Sequence, residues 1–271
     1  MATISLNKNN WTQIKKENKE FRFFSLKAHL RVELDQAKIK ILIFLFVILL
    51  NGFSTLFSEL FMKEIFKMEG INLINIPDPT LFGFLEKFLG NIDLYLIIII
   101  LLGMGTFSNE LELNKQVYFT LARPVSRSTY YFTRALILAI GYGVVYLIGS
   151  SILYAYSLLF FKPIPIERIF LILVINALQF SGFFAIIIMI SSKFNQLTTG
   201  ILGFFVYLAE YLLTLFEPLK WFSLIALDNY WTKIFSKSGN LIDLTATIVT
   251  LLLWTILPII IGWFMYKKRD L

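Results

Sequence analysis

No cysteine occurs anywhere in the 271-residue chain, which excludes disulfides, thiolate nucleophiles and cysteine metal sites. Histidine is nearly as scarce. The single one, His29, stands between Lys27 and Arg31 in a basic stretch and reads as a surface or interfacial residue. One histidine without cysteine gives no ligand set for a zinc hydrolase. Charged residues make up only 16% of the chain, against about 25% in soluble domains. None of the fourteen glycines opens a phosphate loop of the form G-x-x-x-x-G-K followed by serine or threonine, so no ATP binding by that route is expected.

What fills the chain instead is apolar. Hydrophobic residues account for 57%, aromatic residues for 17%, and the mean hydropathy is +0.72. The net charge of +7 would suit nucleic acid. The basic residues fall between long apolar runs, however, where they set orientation against an anionic leaflet, and membrane lipid rather than nucleic acid is the expected partner. The first forty residues are polar and lysine-rich, and the first long apolar run begins at Ile39, a pattern that predicts no cleavable signal.

A spanning helix needs about 20 mostly apolar residues. Six segments are read as spans, at about 39–61, 91–107, 130–160, 170–191, 197–215 and 241–266. The second is short in its strictly apolar part and borrows Asn91 and Ile92. Backbone groups cannot stay unpaired in lipid, and these runs lack the alternation of barrel strands, so the fold class is all-α and polytopic. The N-terminal tail, the second and fourth loops and the C-terminus carry 17 Lys and Arg residues; the other loops carry 8. The basic loops stay inside, which predicts both termini in the cytoplasm. The expected organisation is a cytoplasmic tail over 1–22 and one transmembrane domain over 23–271.

Three further segments read as lying on the membrane. Over 23–37, Phe23, Leu26, Leu30 and Leu34 recur at helical spacing beside a charged face, predicting an interfacial helix before the first span. Over 79–89, Leu81, Phe84, Leu85 and Phe88 share one face; the loop 217–240 carries Trp221, Phe222, Tyr230 and Trp231, as at a headgroup belt. Within the spans, ionisable and amide groups are functional candidates by default. Glu210, Asn176 and Gln179 suit a translocation path or gate, and equally a hydrogen-bonded carboxyl tying two helices together. Gly141, Gly143, Gly149, Ser150 and Ser151 suit close helix packing, Pro258 predicts a kink, and Asn51 is placed to bridge helices.

The most informative stretch is 103–134, GMGTFSNELELNKQVYFTLARPVSRSTYYFTR. Ser108 and Asn109 are candidate caps, Glu110 and Glu112 come early, and Leu113, Val117 and Leu121 lie four apart before Pro124. A short amphipathic helix held between two spans is a docking element, or else a capped, solvated turn. Glu110, Glu112, Leu121 and the run Arg123, Pro124, Val125, Ser126, Arg127, with Arg134 seven residues later, resemble the ATP-binding-cassette type-2 permeases. Asn114–Gln116 stand where that family has Gly-Thr, and Arg134 where lysine is common.

The resemblance implies an exporter-class permease subunit with an elbow-like first helix, forming half of a transporter's membrane domain. It implies a second copy or a related permease as partner, and a separate cytoplasmic ATPase that uses the ATP and magnesium, with no cofactor on this chain. It makes the segment between spans two and three a coupling helix, with Glu110, Glu112, Pro124 and Arg127 as coupling candidates. An intramembrane protease or lipid-modifying enzyme is the alternative, weakened by the lack of histidine in the spans; a passive assembly factor or sensor is another. No catalytic residue is expected.

Overall fold

Apolar runs of this length fold as helices because a helix satisfies its own backbone polar groups. The computed structural model describes residues 8–68, 80–108, 126–162, 166–216, 223–224 and 241–268. In these the chain forms α1 (Lys8–Met68), α2 (Leu81–Gly90), α3 (Ile92–Gly103), α4 (Arg127–Ser157), α5 (Ile166–Ser191), α6 (Gln196–Thr214) and α7 (Leu241–Lys267). Five of them are long and apolar enough to cross a membrane: α1 over His29–Phe61, α4, α5 over Ile169–Ser191, α6, and α7 over Thr245–Lys267. The chain is therefore a multi-pass membrane protein by helix length and composition.

The second expected span is the exception. Its helix, α3, has 12 residues, about 18 Å of rise against roughly 30 Å of hydrocarbon. It ends in turns over 104–107. Gly103 and Gly105 lie in this stretch, and glycine weakens a helix interior by about 1 kcal/mol relative to alanine.

The interfacial helix expected over 23–37 is not a separate element. α1 runs unbroken through residues 37–39, because Asp35-Gln36-Ala37-Lys38 contains neither proline nor glycine to stop it. Leu30 and Leu34 are on its exposed side, whereas His29, Glu33 and Ala37 turn inward. The reading of His29 as a surface residue is corrected accordingly: it is 4% exposed. The segment over 79–89 also differs from expectation. α2 starts at an N-cap, Thr80, whose side chain accepts from Gly83 N at 3.0 Å. Its apolar face, Leu81, Phe84, Leu85 and Phe88, is buried against protein rather than laid on a membrane surface. Phe84 meets the ring of Phe161, and Phe88 meets Tyr95.

Contacts along the helices give their directions. Gly141 faces Ile41, Gly149 faces Ile48, and Gly52 faces Leu153, so α1 and α4 run parallel. Tyr142 stacks on Phe184 and Tyr146 bonds Asn176, so α5 runs back along α4. α7 follows α5, with Gly182 beside Trp254 and Gly262 beside Met189. α3 follows α5 too: Tyr95 meets Phe180, and Gly103 meets Ile187. α6 runs opposite to α5. The start of α4, the ends of α3 and α7, residues 29–38 of α1 and the α5–α6 turn thus gather at one end, here the basic end, with Arg31, Lys38, Arg127, Lys193 and Lys267. α5 is the centre, packed on α3, α4, α6 and α7 and buried around almost its whole circumference from Phe180 to Ile188, as an all-round apolar helix should be. α6 is peripheral and buries Thr199, Gly203 and Glu210.

Candidate functional site

Two polar groupings stand out among the described residues. The first lies at the basic end, at both flanks of the 109–125 segment. On one flank the chain after α3 buries Thr106, Phe107 and Ser108, and the Ser108 hydroxyl donates to Met104 O at 2.7 Å. On the other flank Ser126 caps α4, accepting from Thr129 N at 3.1 Å. Arg127, the first residue of α4, is exposed. Glu110, Glu112 and Pro124, with the coupling helix expected around them, lie outside the described residues.

Between the flanks sits Arg134. Its guanidinium donates to the Tyr130 hydroxyl at 3.1 Å and to Gln36 Oε1 at 3.4 Å, and pairs with Glu33 Oε2 at 3.4 Å. It also lies 5.6 Å from the centre of the Phe107 ring, a cation–π arrangement. His29 Nδ1 approaches Glu33 Oε1 at 3.9 Å, and its ring lies 5.5 Å from that of Tyr130. Phe107 stacks on Tyr131 at 5.0 Å and meets Tyr266 at 5.4 Å. One guanidinium therefore links α1, α3 and α4, and aromatic rings extend the grouping to α7. Glu33 and Arg134 are 4% and 11% exposed, so the charges are held by each other and by their hydrogen bonds, as buried charges must be. Arg134 was picked out by its place after the motif. Glu33 and Gln36 were not, because no motif or spacing in the sequence marks them.

The second grouping lies within the bundle. Glu210 Oε2 accepts from Leu224 N at 2.6 Å, and the Ser223 hydroxyl donates to Glu210 O at 3.1 Å. Gln179 Nε2 donates to Leu224 O at 2.6 Å. Glu210 and Gln179 are thus brought together through one dipeptide of the 217–240 loop. Counting about 1.5 Å per residue from Ser191 and Gln196 puts both roughly 20 Å from the basic end. At that depth, non-helical backbone is stable only where protein satisfies it. The N–H and C=O of Leu224 are both met by side chains, which accounts for a carboxyl and an amide in two otherwise apolar helices. Ser223 and Leu224 are therefore buried within the bundle; Trp221, Phe222, Tyr230 and Trp231, expected at a headgroup belt, lie outside the described residues.

Asn176 is not part of this clasp. Its Nδ2 donates to the Tyr146 hydroxyl at 3.3 Å. Asn51 does bridge helices: its Nδ2 donates to the Tyr95 hydroxyl at 2.6 Å, and its Oδ1 accepts from Asn91 at 3.0 Å. Ser223 and Leu224 carried no sequence signal, since an ordinary Ser-Leu pair shows nothing of its depth. Among the described residues no group of three or more His, Asp or Glu side chains is placed to hold a metal ion. No family model, curated protein or solved structure matches the chain.

Proposed function

We propose that this chain is the membrane-spanning permease subunit of an exporter-class ATP-binding-cassette transporter in the cell membrane. On this reading it pairs with a second permease and is driven by a separate cytoplasmic ATPase. α3 with the turn after it counts as a sixth crossing, and both termini are cytoplasmic. The alternating helix directions support that count. Asn91 bonds Asn51, and Phe107 lies under the Arg134 that pairs with Glu33. Glu33 and Asn51 are 18 residues apart on α1, about 27 Å of rise, and residues 91–107 traverse the same distance in the opposite sense.

The observation that carries the proposal is the anchoring of the 109–125 segment. Phe107 on its entry flank, and Tyr130 and Arg134 about one to two turns beyond its exit, belong to one ionic and aromatic grouping that touches α1, α4 and α7, so a push on the segment reaches several helices. Arg127 adds to this. A cation in the first turn of a helix opposes the helix dipole, and no acidic residue accompanies it there. An exposed charge in the unfavourable position suits recognition of an acidic partner surface. Gln179 and Glu210, by holding Ser223–Leu224, would shape the translocation face in the half of the bundle away from the basic end.

Affinity purification of the tagged chain in mild detergent tests the reading. A soluble ATPase should accompany it at about equal stoichiometry, and the joint Glu110→Ala, Glu112→Ala variant should lose that ATPase or its stimulation. Repeated isolation of the intact chain without any ATPase would falsify the proposal.

A further inference from the structure

We propose that the Glu33–Arg134 pair is the positioning joint through which movement of the 109–125 segment is passed to α1. The inference rests on the permease reading for what drives the movement. The joint itself is read from geometry. Arg134 lies seven residues from Arg127, about 10 Å along α4. From there it grips Phe107 at the other flank of the segment and reaches across to Glu33 and Gln36 of α1. One side chain thus ties together the entry of the segment, its exit and a third helix.

The other α1–α4 contacts carry no charged pair. Ile41 against Gly141, Ile48 against Gly149 and Leu153 against Gly52 are aliphatic side chains lying on glycine, and ring contacts join Phe44 to Tyr142 at 5.0 Å and Phe53 to Tyr156 at 5.3 Å. The guanidinium contacts are directional, and a buried pair cannot separate without leaving charge uncompensated. The cavity beside the pair, lined by Glu33, Gln36, Lys40, Arg134 and Leu138 among others, measures only about 20 Å³, room for a single water. Glu33 is buried, whereas Gln36 on the outer side of the pair is exposed. A movement of α4 that carries Arg134 therefore pulls on α1 through its buried charge.

The absence of cysteine permits a direct test by spin labelling. Cysteines are introduced at Lys115 in the segment, Lys27 on α1 and Lys193 in the α5–α6 turn. Distances from Lys193 to the other two are measured in the complex with its co-purified ATPase, before and after trapping with ATP and vanadate. Both distances should change in the otherwise wild-type protein. In Arg134→Gln the Lys115 distance should still change while the Lys27 distance stays fixed. The swap Glu33→Arg with Arg134→Glu should restore the second change, which a merely structural role would not predict. A Lys27 distance that still changes in Arg134→Gln, or a swap no better than the single variant, overturns the joint.

Should neither distance change in the wild-type complex, the permease reading falls, and the joint is decided on the chain alone. There, Glu33→Gln and Arg134→Gln should each raise amide hydrogen exchange at residues 105–108 and 126–130 about fivefold or more, the lower end of ordinary coupling between sites. Exchange unchanged in both variants overturns it independently of any ATPase.

Discussion

At the scale of single residues, Glu210 shows how a buried carboxyl is explained by what it holds. Its oxygen accepts from the Leu224 amide at 2.6 Å, so the side chain serves as an acceptor for backbone that has no helix of its own. Removal and replacement should then behave differently. Glu210→Ala leaves a buried N–H without that acceptor and should cost about 1–3 kcal/mol. Glu210→Gln retains an oxygen in the same place and should cost under about 1 kcal/mol in denaturant unfolding from detergent. Equal losses in the two variants would show that the charge, not the acceptor, is what the site requires. Residue counts along the helices put Glu210 and Asn176 at similar depth in the outer half of the membrane, with Gln179 nearer the middle. Which of them meet was illegible, because the answer depends on a loop pair, Ser223–Leu224, separated from Gln179 by more than forty residues.

At the scale of elements, legibility follows local chemistry. The ends of α4, α5, α6 and α7 fall within four residues of the apolar runs, since each run must be helical and the caps are local: Asn195 accepts from Thr198 N at 2.8 Å at the start of α6. The first run, read from Ile39, does not mark the start of its helix, because α1 already begins at Lys8. Of the small residues of the third span, Gly141, Gly143, Gly149 and Ser150 pack as expected, whereas Ser151 is exposed. Gly143 is the tightest case. A Cβ there would fall 2.9 Å from the Ala177 carbonyl oxygen and closer still to the Ser181 hydroxyl, and the carbonyl belongs to backbone that cannot step aside. Gly143→Ala should therefore destabilise the α4–α5 contact by about 1–3 kcal/mol, as overpacking does. Gly90→Ala, with nothing within 4 Å of the new methyl, serves as the control in the same unfolding measurement. Where elements misread, the cause was environment. The apolar faces of α2 and of the lead-in to the first span have the same pattern whether membrane or protein covers them. For α2 it is protein.

For the whole molecule, the alternation of helix directions makes a prediction that does not depend on transport. Residues 29–38 of α1 and the end of α7 share the basic end, where Phe107, Tyr130 and Tyr266 meet. Reporter fusions at Lys27 and after Lys268 should label from the same side of the membrane, and a fusion at Lys87 in α2 from the opposite side. Accessibility of Lys87 and Lys268 from one side would mean that α3 does not cross, leaving the odd number of long helices to set the topology.

Composition and periodicity by themselves determined that this chain is helical, apolar and multi-pass, because the cost of unpaired backbone in lipid acts on every residue and needs no partner. They also put 17 of the 25 Lys and Arg residues in the loops expected on one side. Only the tertiary structure decided that His29 and Glu33 turn inward, that α1 does not break, and that Arg134 joins two flanks of one segment to a third helix. Those outcomes depend on which faces meet across long stretches of chain, and helical spacing names a face without naming what it packs against.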